Sequence, residues 1–253
     1  MLVLKVKKLK KTYKNNTNKT NALNGIDFTV GQGEFVGIMG PSGSGKTTLL
    51  NVLSGISKPT AGEIEILGQS VKDMSKHEMT LFRRKHLGFV FQDFNLLDSL
   101  TLEENIMLPL SLESYESEER YKKVNKVMTM FNIVNVKHKY PYLVSGGQQQ
   151  RAAIGRAIIN KPDIIFADEP TGNLDWKSSN IVMNYFERLN LENKNTILVV
   201  THDPFTASYC KRIIFIKDGL IHSEITNNDN DKQIFFDKIL ENLNNIGDEK
   251  DDL

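Results

Sequence analysis

Cysteine is almost missing from this chain: Cys210 stands alone among 253 residues, so no intrachain disulfide can form. A single thiol agrees with a reducing compartment, and a disulfide-stapled secreted scaffold is excluded. Long hydrophobic runs are missing too. No apolar stretch approaches the ~20 residues that a membrane-spanning helix needs, and the first residues, MLVLKVKKLKK, break their apolar positions with lysine where a signal peptide has a continuous core. The expectation is a cytoplasmic protein that reaches a membrane only through a partner. An excess of one charge is also missing, since 32 basic and 31 acidic side chains leave a formal net charge of +1. No general basic surface for nucleic acid is therefore expected.

What is present is an ordinary globular composition, 40% hydrophobic and 25% charged, sufficient for one large domain or one domain with subdomains. The charge is unevenly spread. Residues 1–20 carry seven lysines and no acid, whereas residues 226–253 carry eight acids and three lysines. The basic arm is open to two readings, a solvated strand edge blunted by lysine, which is favoured, or a contact for anionic lipid or nucleic acid. The acidic tail reads as solvated.

Along the chain, strand-like apolar runs alternate with helical patterns. EFVGIM is followed by a helix from Lys46; then come HLGFVFQ, DIIFADE with a helix after Asp175, TILVVTH and RIIFIKDG. This alternation predicts an α/β core with a largely parallel sheet. Ahead of it, Leu2 to Tyr13 and Ala22 to Val30 read as paired strands around the polar loop NNTNKTN, a β layer at the front. Between Gln92 and Lys161 the pattern turns helical, with Tyr121, Val124, Met128 and Phe131 on one face, and a further helix runs from Ser145. The organisation expected is a main domain over 1–225 with a helical subdomain inserted at about 93–160, then an acidic tail over 226–253. The tail holds a short helix, Lys232 to Asn245, whose Phe235, Ile239 and Leu243 are spaced to dock on the body.

The segment Gly40, Pro41, Ser42, Gly43, Ser44, Gly45, Lys46, Thr47 has the G-x-x-x-x-G-K-[ST] pattern, and it sits between a predicted strand and the helical stretch TLLNVLSG. Glycines let a loop wrap so that its N–H groups face phosphate oxygens, and the helix dipole adds positive potential there. Lys46 is assigned to the β- and γ-phosphates, the hydroxyl of Thr47 to Mg²⁺, and Thr48 to the phosphate-binding set. A second strand, Ile164 to Ala167, ends in Asp168 and Glu169. A carboxylate at a strand's carboxyl end lies on the rim where α/β sheets bind ligands, so Asp168 is a magnesium candidate and Glu169 a base for the attacking water.

VSGGQQQR, Val144 to Arg151, is a motif that P-loop enzymes in general lack. It resembles the signature of ABC ATPases, and the rest of that family's set stands in order: Tyr13, GPSGSGKT, Gln92 after a strand, SGGQ at Ser145, Gly146, Gly147 and Gln148, IIFADEP, GNLD ending at Asp175, and His202 after TILVVT. The resemblance spans nearly the whole chain. It implies a P-loop fold of the ABC type, with a mostly parallel core sheet, an N-terminal antiparallel β subdomain and an inserted helical subdomain. It implies ATP and Mg²⁺ as ligands and a homodimer that closes head to tail over two ATP. In that arrangement Tyr13 stacks on adenine, Gln92 senses γ-phosphate and magnesium, and His202 contacts the γ-phosphate. Ser145 to Gln148 close on the opposite subunit's nucleotide, and Asp175 couples the two sites. Val144 stands where the family usually has Leu, and Asn173 where Ala or Asn is typical; neither departure threatens activity.

Phe89 to Leu110 resembles the corresponding segment of the lipoprotein-release, macrolide-efflux, cell-division and antimicrobial-peptide-resistance group. Its Phe94, Leu96, Leu97 and Leu100 are many apolar residues for a loop; they either dock a permease or cover the helical subdomain's own core. FQDFNLLDSLT, KYPYLVSGGQ, THDPFTASYC and the tail's DKQIFFDKIL resemble, more narrowly, the ATPases of bacitracin-type peptide detoxification transporters of low-GC Gram-positive bacteria. That resemblance implies a position on the inner face of the membrane, a large permease and, through it, a sensor kinase. Two other readings stay open, an ATP-driven regulator of a non-transporting membrane complex of the cell-division type and a lipoprotein-release ATPase. A soluble ABC protein of DNA repair or translation is disfavoured, because there is one ATPase unit and no long coiled-coil insertion.

Overall fold

Alternation of apolar and polar residues makes the front of the chain a sheet. In a computed structural model that describes residues 1–14, 19–113, 115–229 and 231–248, β1 (Leu2–Lys14) buries Leu4, Val6 and Leu9 while its lysines point mostly to solvent. It pairs antiparallel with β2 (Lys19–Gly31). Asn15 to Asn18 of the polar stretch lie outside the described residues, and Lys19 to Asn21 already belong to β2. There follow β3 (Phe35–Met39), α1 (Lys46–Leu53), β4 (Ala61–Ile66), β5 (Gln69–Ser70), α2 (Lys76–His86) and β6 (Leu87–Val90). Next come α3 (Leu102–Met107), α4 (Ser117–Met130), α5 (Gly146–Ile158), β7 (Ile164–Asp168) and α6 (Trp176–Asn193). The chain ends with β8 (Thr196–Val200), α7 (Pro204–Ala207), β9 (Arg212–Lys217), β10 (Leu220–Thr226) and α8 (Lys232–Asp248).

The described residues form two compact units, Met1–Met79 with Thr196–Leu253, and Thr80–Asn195. In the first, the front sheet has the order β2-β1-β4-β5. The basic β1 is therefore flanked on both sides, not a strand edge; its lysines occupy the solvent face because burying them unpaired is costly. The second sheet of this unit runs β10-β9-β3-β8, with β3 parallel to β8 and β9, and β10 antiparallel to β9. All five residues of β3 are buried, as a strand covered on both faces requires. Each such large apolar side chain contributes about 1.5–3 kcal/mol by leaving water. Helix α8 packs on α7 and buries Phe235, Ile239 and Ile246. Leu243 is only half-buried, because the helix continues past Asn245 and Ile246 takes the next inward position. Residues 249–253 of the acidic tail lie outside the described residues.

In the second unit, β6 and β7 are a parallel pair, Val90 opposite Ala167. Helices α3, α4 and α6 pack on or beside α5. Val124, Met128 and Phe131 are buried as their spacing predicts, whereas Tyr121 is 48% exposed. It lies one turn before the buried stripe of α4, where Val127 fills the inward position instead.

Candidate functional site

The first unit carries the phosphate loop. Buried β3 ends at Met39, and the chain turns through Gly40–Gly45 into α1. Only glycine fits at two of these positions. A Cβ on Gly40 would be driven into the carbonyl oxygen of Ile216, and one on Gly45, which has φ 103°, into that of Ala22. The loop is braced from a third side, since Gly219 N donates to Ser44 O at 3.1 Å. No side chain caps α1 and its first turn holds no acid, so its positive end is left to a ligand. Lys46 is 8% exposed, and its ammonium donates to the carbonyls of Gly40 (2.8 Å) and Pro41 (2.9 Å), folded over the loop it serves. The buried Ser44 Oγ has no hydrogen-bond partner among the described residues. A glycine cradle, a lysine and an orphaned hydroxyl together fit a polyphosphate. Ser42, Gly43 and Thr47 are exposed, with Pro41 and Thr48 half-buried.

His202 and Tyr13 belong to the same unit. Thr201 N donates to Ile38 O at 3.1 Å, which brings the exposed His202 to the end of β3 where the loop begins. Asp203, next in line, caps α7 through Phe205 N and Thr206 N, so His202 sits in a fixed turn. Tyr13 pairs with Thr20, close in β2 to the Ala22 that abuts Gly45. Its ring is 43% exposed, and the ammonium of Lys11 lies 4.9 Å from its centroid.

The second unit carries the other residues. Parallel pairing of β6 with β7, continued two places past Val90 and Ala167, brings Gln92 and Glu169 to the same strand end. Asp168 and Glu169 are half-buried, and Glu169 is a non-glycine residue at φ 45°. A carboxylate held in the left-handed region at a strand end is the kind of outlier that functional sites retain. Gln92 Nε2 donates to Asn173 Oδ1 (3.4 Å), while Asn173 Nδ2 donates to Gln92 O (3.3 Å) and Asp93 Oδ1 (2.8 Å). Ser145 caps α5 in a reciprocal box with Gln148: Gln148 N donates to Ser145 Oγ, and Ser145 N to Gln148 Oε1 at 3.0 Å. Gly147 leaves no room for a Cβ beside Ser178, which would lie 2.9 Å away. Ser178 is held in turn by Asp175, whose carboxylate accepts from its N–H and hydroxyl, both at 2.9 Å, and caps α6. Those bonds hold the Asp175 carboxyl below the usual carboxylate range. The signature and the GNLD turn are thus one packed assembly.

Three residues with organising roles carry no sequence signal of their own. Gln150 is fully buried and donates to Pro170 O at 2.6 Å, tying α5 to the turn after Glu169. Asn105 and Arg156 organise the apolar loop described below. The loop residues Phe94, Leu96 and Leu100 are half-buried and Leu97 is 47% exposed, so none of the four is a core residue. Among the described residues, no helix is long and apolar enough to cross a membrane.

A strand, a glycine cradle with its lysine, and a second strand ending in paired acids define a P-loop nucleotide hydrolase; the capped SGGQ helix narrows it further. The family model for "ABC transporter" matches residues 23–172. The chain belongs to the ABC transporter family: it binds and hydrolyses ATP, and that hydrolysis is coupled to transport. Such ATPases work as pairs with a membrane permease. The chain is 55% identical to the uncharacterized ABC transporter ATP-binding protein YvcR of Bacillus subtilis, over 87% of this chain and 85% of that one. It is 50% identical to the bacitracin export ATP-binding protein BceA of Halalkalibacterium halodurans, over 88% of each. The ATP-binding cassette MJ0796 of Methanocaldococcus jannaschii, solved as a dimer in a post-hydrolysis state with ADP and Pi, superimposes with a TM-score of 0.83 at 42% identity, over 88% of this chain and 98% of that one. The fold is that of the ABC ATPase cassette.

Proposed function

We propose that this chain energises the export of, or resistance to, a bacitracin-like antimicrobial peptide, acting as a homodimer on the inner face of the membrane beneath a permease. The observation that carries the substrate class is the 50% identity to a bacitracin export ATPase over 88% of both chains. The apolar loop supports the partner. Phe94, Leu96, Leu97 and Leu100 offer a partly exposed hydrophobic surface that suits a short helix of the permease. Through that permease the ATPase serves a sensor kinase as well.

In the reaction, the N–H groups of the Ser42–Thr48 stretch and the ammonium of Lys46 offset the charge of the β- and γ-phosphates, and Tyr13 stacks on the adenine. Glu169 takes a proton from water as the water oxygen bonds to the γ-phosphorus, while the bond from that phosphorus to the bridging β-phosphate oxygen breaks and its electron pair leaves on ADP. His202 and Gln92 orient the γ-phosphate and the water. Ser145, Gly146, Gly147 and Gln148 contact the γ-phosphate held by the second copy, and Asp175 links the two sites. Among the described residues no cluster of three or more His, Cys, Asp or Glu could hold a metal. We assign Mg²⁺ to the Thr47 hydroxyl, the Asp168 carboxylate and the Gln92 amide oxygen, each a hard oxygen donor of the kind this ion takes alongside phosphate oxygens. When bound, that ion offsets charge on the phosphates.

Deleting this chain should lower the bacitracin concentration that stops growth. Wild-type protein supplied in trans should restore tolerance, and Lys46→Ala should not. Unchanged tolerance in the deletion would favour the alternative, an ATP-driven regulator of a membrane complex or a lipoprotein-release ATPase.

A further inference from the structure

The apolar loop has an unusual backbone. Phe94 and Asn95 are consecutive non-glycine residues with φ 60° and 48°, a conformation that persists only where the surroundings hold it. It is held by turn bonds from Phe94 N to Phe91 O (3.2 Å) and Asn95 N to Asp93 O (2.6 Å), and from outside the loop by Arg156, three turns along α5 from the signature. Its Nη2 donates to Phe94 O at 2.9 Å and its Nη1 to Asn95 O at 2.6 Å. Among the described residues no carboxylate pairs with this guanidinium, and its burial pushes its pKa down. The cost of desolvating it is offset by the two carbonyls. At the loop's far end Asn105, fully buried in α3, accepts from Leu97 N (2.8 Å) and donates to the carbonyls of Leu97 (3.0 Å), Leu100 (3.1 Å) and Thr101 (3.0 Å). The loop is therefore hydrogen-bonded to a helix at both ends. The ring of Phe94 also lies against the signature, since a Cβ on Gly146 would be 3.5 Å from its Cζ.

We infer that Arg156 is a positioning residue that couples the apolar loop to the signature: force applied where the permease docks passes through Phe94 and Asn95 into α5 and reaches Ser145–Gly147 at its other end. The separation, ten residues or ~15 Å of helix, is spanned by one stiff element. Gln150, on the same helix, carries the displacement to the turn beyond Glu169 through its bond to Pro170 O. A lysine could not replace the fork, because one ammonium does not reproduce two fixed donors. This inference rests on docking at the loop, proposed above.

The test compares basal ATPase of the purified subunit with ATPase of the complex reconstituted with its permease. Arg156→Ala should fold, bind ATP, keep its basal rate and co-purify with the permease. Its stimulation by the permease should fall about tenfold or more, a loss of about 1.4 kcal/mol or more of coupling. Arg156→Lys should recover part of that stimulation, and it supplies the comparison if the alanine variant does not fold. Full stimulation of Arg156→Ala, or of Arg156→Lys where that variant must serve, would overturn the inference. Equal proportional loss of basal and stimulated rates, together with a lowered unfolding temperature, would also overturn it and assign Arg156 to stability alone. Docking itself is read separately in Leu97→Asp. Co-purification of that variant would remove the docking reading and this inference with it. Its loss, combined with normal stimulation of the Arg156 variants, would remove the inference only.

Discussion

Replacing Glu169 with glutamine should leave ATP binding intact and slow hydrolysis by about 10² to 10⁴-fold, the span that a positioned base supplies. Glutamine keeps the size and the hydrogen-bonding reach of the side chain but cannot take the proton of the attacking water. The site should also tolerate the change. β7 is anchored by four buried apolar residues, and the turn after it is closed by Gly172 N donating to Glu169 O at 3.0 Å. Phosphate release and nucleotide retention in the purified variant check this. Retention of ATP with slow release is expected, whereas turnover near the wild-type rate would remove Glu169 from the base role.

Leu97→Asp should abolish assembly with the permease while the isolated subunit stays folded and binds ATP. At 47% exposure a carboxylate at this position remains solvated in the free subunit, and the main-chain bonds of Leu97 to Asn105 do not depend on its side chain. Docking would bury the charge without a partner, at a cost of about 3 kcal/mol or more, equivalent to weakening the association over about a hundredfold. Leu100→Asp should act in the same direction, although its half-buried position makes some loss of subunit stability part of the expectation. Affinity purification from detergent extracts, alongside thermal unfolding of the free subunit, reads both effects. Co-purification at the wild-type level would move the docking site elsewhere.

The parts of the cassette that were legible in the sequence are those whose chemistry demands particular residue types. Gly40 and Gly45 are required by backbone contacts that leave no room for a Cβ, Ser145 to Gln148 stand out as a signature at a helix start, and buried strands such as Ile164–Ala167 show as short apolar runs. The short β4, β5 and β10 and the helix α2 carry weaker patterns that do not stand out from the surrounding sequence. The lysine-rich β1 reads as an edge, yet it is flanked by β2 and β4, because local sequence reveals the solvent face of a strand but not its neighbours. Asn105, Gln150 and Arg156 illustrate a deeper limit. Each is an ordinary polar residue of a helix, and its role is set by main-chain groups far away in the sequence: Leu97 and Leu100, Pro170, Phe94 and Asn95. Only the folded chain brings those carbonyls into reach.

The central claim, that two copies close over ATP, is tested most directly with Trp176, the only tryptophan in the chain. It opens α6 immediately after Asp175 and is 66% exposed, so its emission should report any loss of water there. In Glu169→Gln protein, adding ATP and Mg²⁺ should raise the mass measured by light scattering from one subunit to two and change the tryptophan emission in step. Ser145→Arg, which sets a bulky cation at the exposed start of α5, should abolish both signals together. A subunit that binds ATP yet remains monomeric in the Glu169→Gln background would contradict the account, as would a dimer that still forms with Ser145→Arg.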